Sequence, residues 1–283
     1  TGYRIVGGID LLDEGLITGA LSVEAIPHLS AIDIFQTINS TNTYARELAE
    51  SSSASGAVIL AEQQTAGRGR RGKSWVSPFA ANIYLSIVWD FEQGAQALEG
   101  LSLAIGVAVK RALTAHGVQE VKLKWPNDIY VEQKKLGGIL LEMIGDPVGH
   151  CNVIVGVGLN VSMPALQAAA IDQDWTDVTT ELQAQQSPAD GPKLSVRNKL
   201  AAALISEILP LLDTFQTRGF AAYRDEWQAA DAFYGQAAEI STPKQSIAGV
   251  VRGVETNGAL RLELDNGTIE SFIGGELSLR LVR

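Results

Sequence analysis

The sequence predicts an α+β protein: a central β-sheet flanked by helices, followed by a small β-barrel. Three observations carry that expectation. Between residues 32 and 161, β-prone apolar runs interleave with helical stretches without a regular strand-helix repeat. Two amphipathic segments, 194–216 and 220–228, then follow and can cover the sheet. From Ala238 onward, short strands are punctuated by Asn257-Gly258 and Asn266-Gly267, both strong tight-turn pairs. A chain of 283 residues with 46% hydrophobic and 19% charged content has core enough for one large domain and one small one. The expected boundaries are a linker over 1–31, a main domain over 32–235 and the barrel over 236–283.

Taken in order, the chain opens on Thr1, so a further segment is expected upstream, and Gly2-Tyr3-Arg4-Ile5-Val6 reads as the end of a strand. Residues 10–21 read as a short helix on the spacing of Leu11, Leu12, Leu16 and Ile17. A strand over 32–38 ends at Asn39-Ser40-Thr41-Asn42, and a helix over 43–49 follows; one such polar residue suffices as an N-cap, and three invite a ligand contact as well. Strands over 57–62 and 82–89 bracket a glycine- and arginine-rich loop. Residues 98–116 form an apolar helix stopped by Gly117. A hairpin follows, with strands 121–125 and 129–131 joined by Pro126-Asn127-Asp128. A turn at Gln133-Lys134-Lys135 leads to a strand over 136–143. The buried strand over 153–161 carries Gly156 and Gly158, which weaken a strand unless something must approach closely, and it ends by presenting Asn160. A polar stretch over 162–190, containing Asp174-Trp175, precedes the amphipathic helices.

Within that plan the loop Gly67-Arg68-Gly69-Arg70-Arg71-Gly72-Lys73-Ser74-Trp75 stands out, because it gathers cations in a protein of net charge −10. Glycine amides and arginine forks together suit a phosphate or a carboxylate. Two familiar patterns fit literally, G-x-G-x-x-G and G-x-x-x-x-G-K-[ST]. Each needs a helix directly after the loop, since the helix N-terminus completes the anion site. Here Ser74-Trp75-Val76-Ser77-Pro78-Phe79 is β-prone and interrupted by proline. Neither pattern therefore describes the loop. An RNA-binding or merely solvated arginine cluster remains an alternative on composition alone.

Composition sets further bounds. The acidic total argues against general nucleic-acid binding. The lone Cys151 excludes an internal disulfide framework, suggests a reducing compartment, and beside Val153-Ile154-Val155 reads as a small buried hydrophobe. His28, His116 and His150 have no metal-ligand spacing, so no protein-held metal is expected. No apolar run of membrane-spanning length and no signal peptide is evident, which predicts a soluble, cytoplasmic protein without a membrane partner.

Five stretches together carry a resemblance that none carries alone. They are Ser40-Thr41-Asn42, Gln64 with the GRGRRG loop, Lys124-Trp125-Pro126-Asn127-Asp128, Lys135-Leu136-Gly137-Gly138-Ile139-Leu140, and Gly156-Val157-Gly158-Leu159-Asn160. In order and spacing the chain resembles the biotin protein ligases from about Ile32 to its end, including Gly274-Gly275-Glu276-Leu277-Ser278-Leu279. It is most similar to the bacterial type that doubles as the biotin operon repressor.

The resemblance implies a central mixed sheet of the class II synthetase or biotin/lipoate-ligase kind and an SH3-like C-terminal barrel. It implies a two-step reaction in which biotin and Mg-ATP give biotinyl-5′-AMP, and a lysine of the biotin carboxyl carrier protein then takes the biotin. Biotin contacts are implied for Ser40, Thr41, Asn42, Gln64, Gly67, Arg68, Gly69, Arg70, Trp75, Lys135, Gly138 and Gly158. Gln64 and the Ser40 cluster would bond the ureido ring. Nucleotide contacts are implied for Arg70, Arg71, Asn127, Lys135, Asn160 and Trp175, the last over the adenine. Arg68, Arg70 and Lys135 would meet the reacting groups, and Asp128 is the candidate to orient or deprotonate the acceptor lysine. The only metal expected is the Mg²⁺ that comes with ATP.

This chemistry is internally consistent, because bringing a carboxylate to a triphosphate requires cations at the junction, and a hydrolysable anhydride benefits from a loop that excludes water. Members of this kind pair through a sheet edge when biotinyl-AMP binds, and bind operator DNA through an N-terminal winged helix. Here residues 1–31 would hold only a remnant of its wing and a linker, so operator DNA is a partner only where that domain is present. A lipoate ligase, and a non-enzymatic DNA-binding regulator or P-loop nucleotide switch, are the competing readings.

Overall fold

The computed structural model describes residues 10–51, 53–92, 94, 98–146, 148–185, 196–241, 245–274 and 277–282. The strand reading of Gly2–Val6 and the glycine-glutamate pair at 275–276 lie outside them. Seven strands form the main sheet: β1 (Ala31–Phe35), β2 (Ala57–Ala61), β3 (Ile83–Phe91), β4 (Lys122–Lys124), β5 (Asp128–Val131), β6 (Lys134–Gly145) and β7 (Cys151–Leu159). Their spatial order is β1-β2-β3-β7-β6-β5-β4. Only β1 and β2 run parallel, so the sheet is mixed as expected.

Both faces of this sheet are covered, and strand alternation decides which residue serves which face. Val58, Leu60, Ile87, Val153 and Val155 join the large core with α3 (Leu101–Ala115) and α6 (Val196–Arg218). Ile59, Val88 and Ile154 point the other way, to α2 (Thr41–Ser51), where Ala45 seals a smaller core. β2 is buried at every position, so it reads as a continuous apolar run rather than an alternating one. Gly117 ends the α3 segment at a φ of +91°, the left-handed conformation that glycine adopts without strain.

Several expectations need correction. The helix expected over 10–21 shrinks to α1 (Glu14–Thr18), capped by Asp13, whose carboxylate accepts from the Leu16 amide. The turn expected at Gln133-Lys134-Lys135 lies one residue earlier, at Glu132 and Gln133, which both take positive φ; Lys134 and Lys135 already belong to β6. The polar stretch after β7 contains two short helices, α4 (Ala165–Ala168) and α5 (Val178–Gln185). The second amphipathic helix divides into a 3-10 turn, Phe220–Ala222, and α7 (Arg224–Ala229). Finally, α6 is by length and composition apolar enough to span a membrane, contrary to expectation, but 56% of its apolar window is buried inside this fold.

The C-terminal strands β8 (Ala237–Ser241), β9 (Ser246–Val254), β10 (Leu260–Glu263), β11 (Ile269–Phe272) and β12 (Ser278–Leu281) form an antiparallel sheet ordered β11-β10-β9-β8-β12. Among the described residues no pairing joins β11 to β12. The Asn257-Gly258 turn sits against the main sheet's helix layer. The Trp125 indole donates to the Gly258 carbonyl at 3.1 Å, and a β-carbon on Gly258 would lie 2.8 Å from Gly100 Cα. That close approach, together with a φ of +85°, explains why this turn needs glycine.

Candidate active site

A polar pocket floor forms on the α2 face of the sheet. α2 starts immediately after the bend that follows β1, and its first residues, Thr41 and Asn42, are buried against the strands rather than exposed as a simple cap. Cross-strand register sets out three rows on this face: Tyr84, Gly158 and Gly138; Ser86, Gly156 and Leu140; Val88, Ile154 and Glu142. The β7 glycines are the gaps in this surface. A β-carbon on Gly156 would lie 2.3 Å from Asn42 Oδ1, and one on Gly158 would lie 2.7 Å from the Trp75 ring. Both are sites of close approach, as expected of glycine within a strand.

Gln64, just beyond β2, is held at both ends of its amide. Its oxygen accepts from the Thr41 backbone amide at 2.8 Å, and its nitrogen donates to Ser77 Oγ at 3.2 Å. Gly67 crosses beneath these groups, where a β-carbon would lie 2.6 Å from Ser77 Oγ and 2.7 Å from the Trp75 carbonyl oxygen.

The basic loop is a narrow ribbon. Trp75 donates its amide to the Gly67 carbonyl at 2.9 Å, and Gly69 donates to the Lys73 carbonyl at 2.7 Å. The ribbon turns through a short 3-10 segment, Arg70–Gly72, in which Arg71 and Gly72 have φ of 59° and 70°. No α-helix follows it, which disposes of the P-loop and dinucleotide patterns. The three arginines diverge. Arg70 turns inward, donating to Asn127 Oδ1 at 3.0 Å and to the Leu277 carbonyl at 3.1 Å. Burial lowers its pKa, and the nearby Asp128 carboxylate opposes that shift. Arg68 reaches Thr43 Oγ1 at 3.1 Å and Glu142 at 3.4 Å, away from Arg70, while Arg71 is exposed. Arg68 therefore stands off the charged centre of Arg70 and Lys135, with which the sequence reading grouped it.

That centre is Asp128, at the start of β5. Its carboxylate lies 2.7 Å from Lys135 Nζ and 3.7 Å from Lys124 Nζ. Lys135 is far from a solvated hairpin lysine: its ammonium sits 5.5 Å above the Trp75 ring. Its backbone also bridges the Trp175 segment, donating to Asp174 and accepting from Thr176 at 3.0 Å each. Lys124 donates to Tyr130 Oη at 3.2 Å and lies 5.1 and 5.5 Å from the Tyr130 and Phe233 rings. Burial pushes the Lys124 pKa down, with Asp128 again opposing. Three cations thus converge on one carboxylate. Such a surplus of positive charge suits a carboxylate meeting a polyphosphate.

Residues 34–160 match the Biotin/lipoate A/B protein ligase family, and residues 234–280 match the Biotin protein ligase C terminal domain. The chain is 38% identical over 280 residues to the Bifunctional ligase/repressor BirA of Escherichia coli (strain K12), covering 99% of this chain and 81% of that protein. The chain belongs to the biotin protein ligase family. It is also 34% identical over 244 residues to the Biotin--[acetyl-CoA-carboxylase] ligase of Paracoccus denitrificans, covering 84% of this chain and 98% of that one. Among solved structures, the biotin protein ligase from Aquifex aeolicus in complex with biotin and ATP superposes with a TM-score of 0.74 at 25% identity, over 90% of this chain and all of that one.

The ligase fold brings most of the expected residues to one face, where several have partners within the chain. Asn127 is spent between Arg70 and the Ile139 carbonyl, to which its amide donates at 2.7 Å. Asn160 donates to the Thr176 carbonyl at 3.1 Å, so its amide group fastens the Trp175 segment. Trp175 itself is half-buried beside Lys135. Gly138 meets only ordinary contacts, with Lys135 Cε and Asp128 Oδ1 at 3.5 and 3.6 Å from a notional β-carbon, and Gly69 likewise has its nearest neighbour at 3.7 Å. Ser40 is buried, with its amide on Asn39 Oδ1 at 2.6 Å. Ser77, Ser86 and Glu142, which join this face, belong to none of the five stretches that carry the resemblance in the sequence, and Lys124, though within one, was given no role there. Lys124 carried a usable signal, since it lies four residues before Asp128 across a tight turn.

Proposed function

We propose that this chain is an ATP-dependent, AMP-forming biotin ligase that transfers biotin to a lysine of a biotin carboxyl carrier protein, with residues 32–235 as its catalytic domain and 236–283 as its barrel. The observation that carries this reading is the junction of two unlike surfaces. An uncharged hydrogen-bonding floor of buried Thr41 and Asn42 and half-buried Gln64 adjoins the cationic cluster of Arg70, Lys135 and Lys124 around Asp128. Biotin has the matching polarity, with a neutral cyclic urea at one end and a carboxylate at the other.

In the first step a carboxylate oxygen of biotin bonds to the α-phosphorus of ATP, and the bond to pyrophosphate breaks. Arg70 and Lys135 offset the charge repulsion as these groups meet. Mg²⁺ bound to the nucleotide supplies further neutralisation. In the second step the acceptor amine attacks the anhydride carbonyl, the bond to AMP breaks, and Asp128 orients the amine or takes its proton. Trp175, bridged to Lys135, is the candidate to cover the adenine, and the 67–75 ribbon the candidate to cover the adenylate.

An open sheet edge supports pairing between copies of the chain. β5 pairs with β6 only as far as Gly138, whereas β7 pairs with it to Gly145, so the stretch beyond Gly138 keeps one edge available for a second sheet. Operator DNA is a partner only for a protein that joins this chain to a winged helix. The reading is tested by ATP-dependent incorporation of labelled biotin into a carrier-protein fragment, with lipoate as competitor. Biotin transfer that lipoate does not suppress supports it; absence of transfer overturns it, and preferential lipoate transfer turns it to the lipoate branch of the family.

A further inference from the structure

Glu142 lies on β6 in the same face row as Ile154, at the margin of the pocket floor, where no sequence motif singles it out. Its carboxylate accepts from Asn42 Nδ2 at 2.7 Å. Asn42 Oδ1 accepts from Ser86 Oγ at 2.6 Å, and Ser86 Oγ lies 2.8 Å from Thr41 Oγ1. Thr41 Oγ1 lies 3.2 Å from Gln64 Oε1. The network therefore runs from Glu142 to Thr41 through groups that are almost fully buried, Ser86 at 0%, Thr41 at 4% and Asn42 at 5% exposure, and Thr41 can spend its one proton on Ser86 or on Gln64.

The direction of this network is a matter of proton counting. Each hydroxyl carries one proton, and an amide side chain presents a donor at one end and an acceptor at the other. Taken alone, the run from Asn42 through Ser86 to Thr41 is satisfied in either of two directions. Asn42 can accept from Ser86 while Thr41 donates to Ser86. Alternatively, the Asn42 amide can turn over and donate to Ser86, which then donates to Thr41, leaving Thr41 to donate to Gln64 Oε1. Nothing within those three residues chooses between the two. A carboxylate can only accept, so Glu142 admits the first direction and excludes the second.

We propose that Glu142 is a positioning residue that sets the hydrogen-bond polarity of the pocket floor, and so its fit to the urea end of biotin. This rests on the biotin-ligase reading. With Glu142 in place, Asn42 is locked with its nitrogen toward β6, and Ser86 is committed as a donor to Asn42. Gln64 is locked by the Thr41 amide at one end and by Ser77 at the other, since Ser77 spends its own proton on the Trp75 carbonyl at 2.9 Å. The floor then presents one fixed set of donors and acceptors to a ring whose single carbonyl is flanked by two N–H groups. Without the carboxylate two arrangements share the population, and only one of them complements the urea.

The test compares Glu142→Met, of similar length but without an acceptor oxygen, and Glu142→Gln, whose amide satisfies Asn42 in either direction. Steady-state adenylation is measured with each. The expected result is a KM for biotin about fivefold to tenfold higher in Glu142→Met, a smaller rise in Glu142→Gln, and KM for ATP and melting temperature near the parent's. Discrimination between biotin and lipoate should narrow in the same order. Raising the salt concentration on the parent separates the second contact of Glu142, its half-exposed pair with Arg68, because that pair is screened and the buried hydrogen bond is not. An unchanged biotin KM in Glu142→Met overturns the positioning role and leaves the ligase reading intact, as does a parent whose biotin KM rises with salt as far as the variant's. A parent chain that forms no biotinyl-adenylate removes both.

Discussion

Gly158 lies so close under Trp75 that a β-carbon there would sit 2.7 Å from Cε2 and 2.8 Å from Nε1 of the indole. Backbone on one side and a stacked ring on the other leave neither partner room to yield cheaply. Gly158→Ala should therefore displace Trp75 from the pocket wall. The expected outcome is a biotin KM raised about tenfold, with a smaller change for ATP, measured by initial rates of pyrophosphate release. Equal changes in both constants would point to a general disturbance of the sheet.

Arg70 joins the ribbon to Asn127 and to the Leu277 carbonyl. Arg70→Gly removes both ties and a cation from the junction. Biotinyl-AMP should then escape into solution, seen as free adenylate in the filtrate of a single-turnover reaction and as labelling of lysines on bystander proteins. Retention equal to the parent's would remove the closing-ribbon picture.

Asp128 serves two lysines at once, Lys135 at 2.7 Å and Lys124 at 3.7 Å. In Asp128→Asn the second half-reaction should slow about a hundredfold when preformed biotinyl-adenylate is supplied, the range expected on losing a positioned base. Transfer at the parental rate would take the proton-accepting role away from Asp128.

Asp231 offers a pH prediction of definite sign. It lies beside β4, one carboxylate oxygen accepts from the Phe233 amide at 2.9 Å, and the other is buried without a partner. Burial pushes its pKa from 3.8 to about 6, against backbone hydrogen bonds from Phe233 and Tyr234 that lower it. A raised acid pKa means that the folded state keeps a proton that the unfolded chain has released. Its contribution to stability is therefore full below pH 4 and is lost as pH rises through 6. Asp231→Asn should flatten that fall and stabilise the protein at pH 7 by about 1 to 2 kcal/mol. Denaturant unfolding at pH 5 and pH 7 measures it; an identical pH slope in the variant would reject the assignment.

Much of the element order was legible because it rests on local rules. Val153-Ile154-Val155 can only be a buried strand, and Gly117 and the Asn-Gly turns end elements by backbone conformation alone. Close approach was legible for the strand glycines Gly156 and Gly158. Side-chain direction was less so. Nothing in Arg68-Gly69-Arg70-Arg71 says that the first arginine turns to Glu142, the second to Leu277 and the third to solvent, because those partners lie 74 and 207 residues away for the first two. Lys135 looked like a turn lysine because the turn itself was misplaced by one residue, and in a strand one residue reverses the face. Glu142 was invisible for a related reason: its role depends on a cross-strand row that exists only once β6 and β7 are in register.

The bond from Arg70 to the Leu277 carbonyl has a consequence for inheritance. The C-terminal sheet looks like a detachable module, yet its backbone helps hold the Arg70 guanidinium beside Asn127 and Asp128. Because the tie is to a carbonyl, almost any side chain at 277 preserves it, while a shift in strand register does not. Barrels exchanged between relatives should therefore be tolerated in sequence and constrained in length, with insertions before β12 altering how long the adenylate is kept.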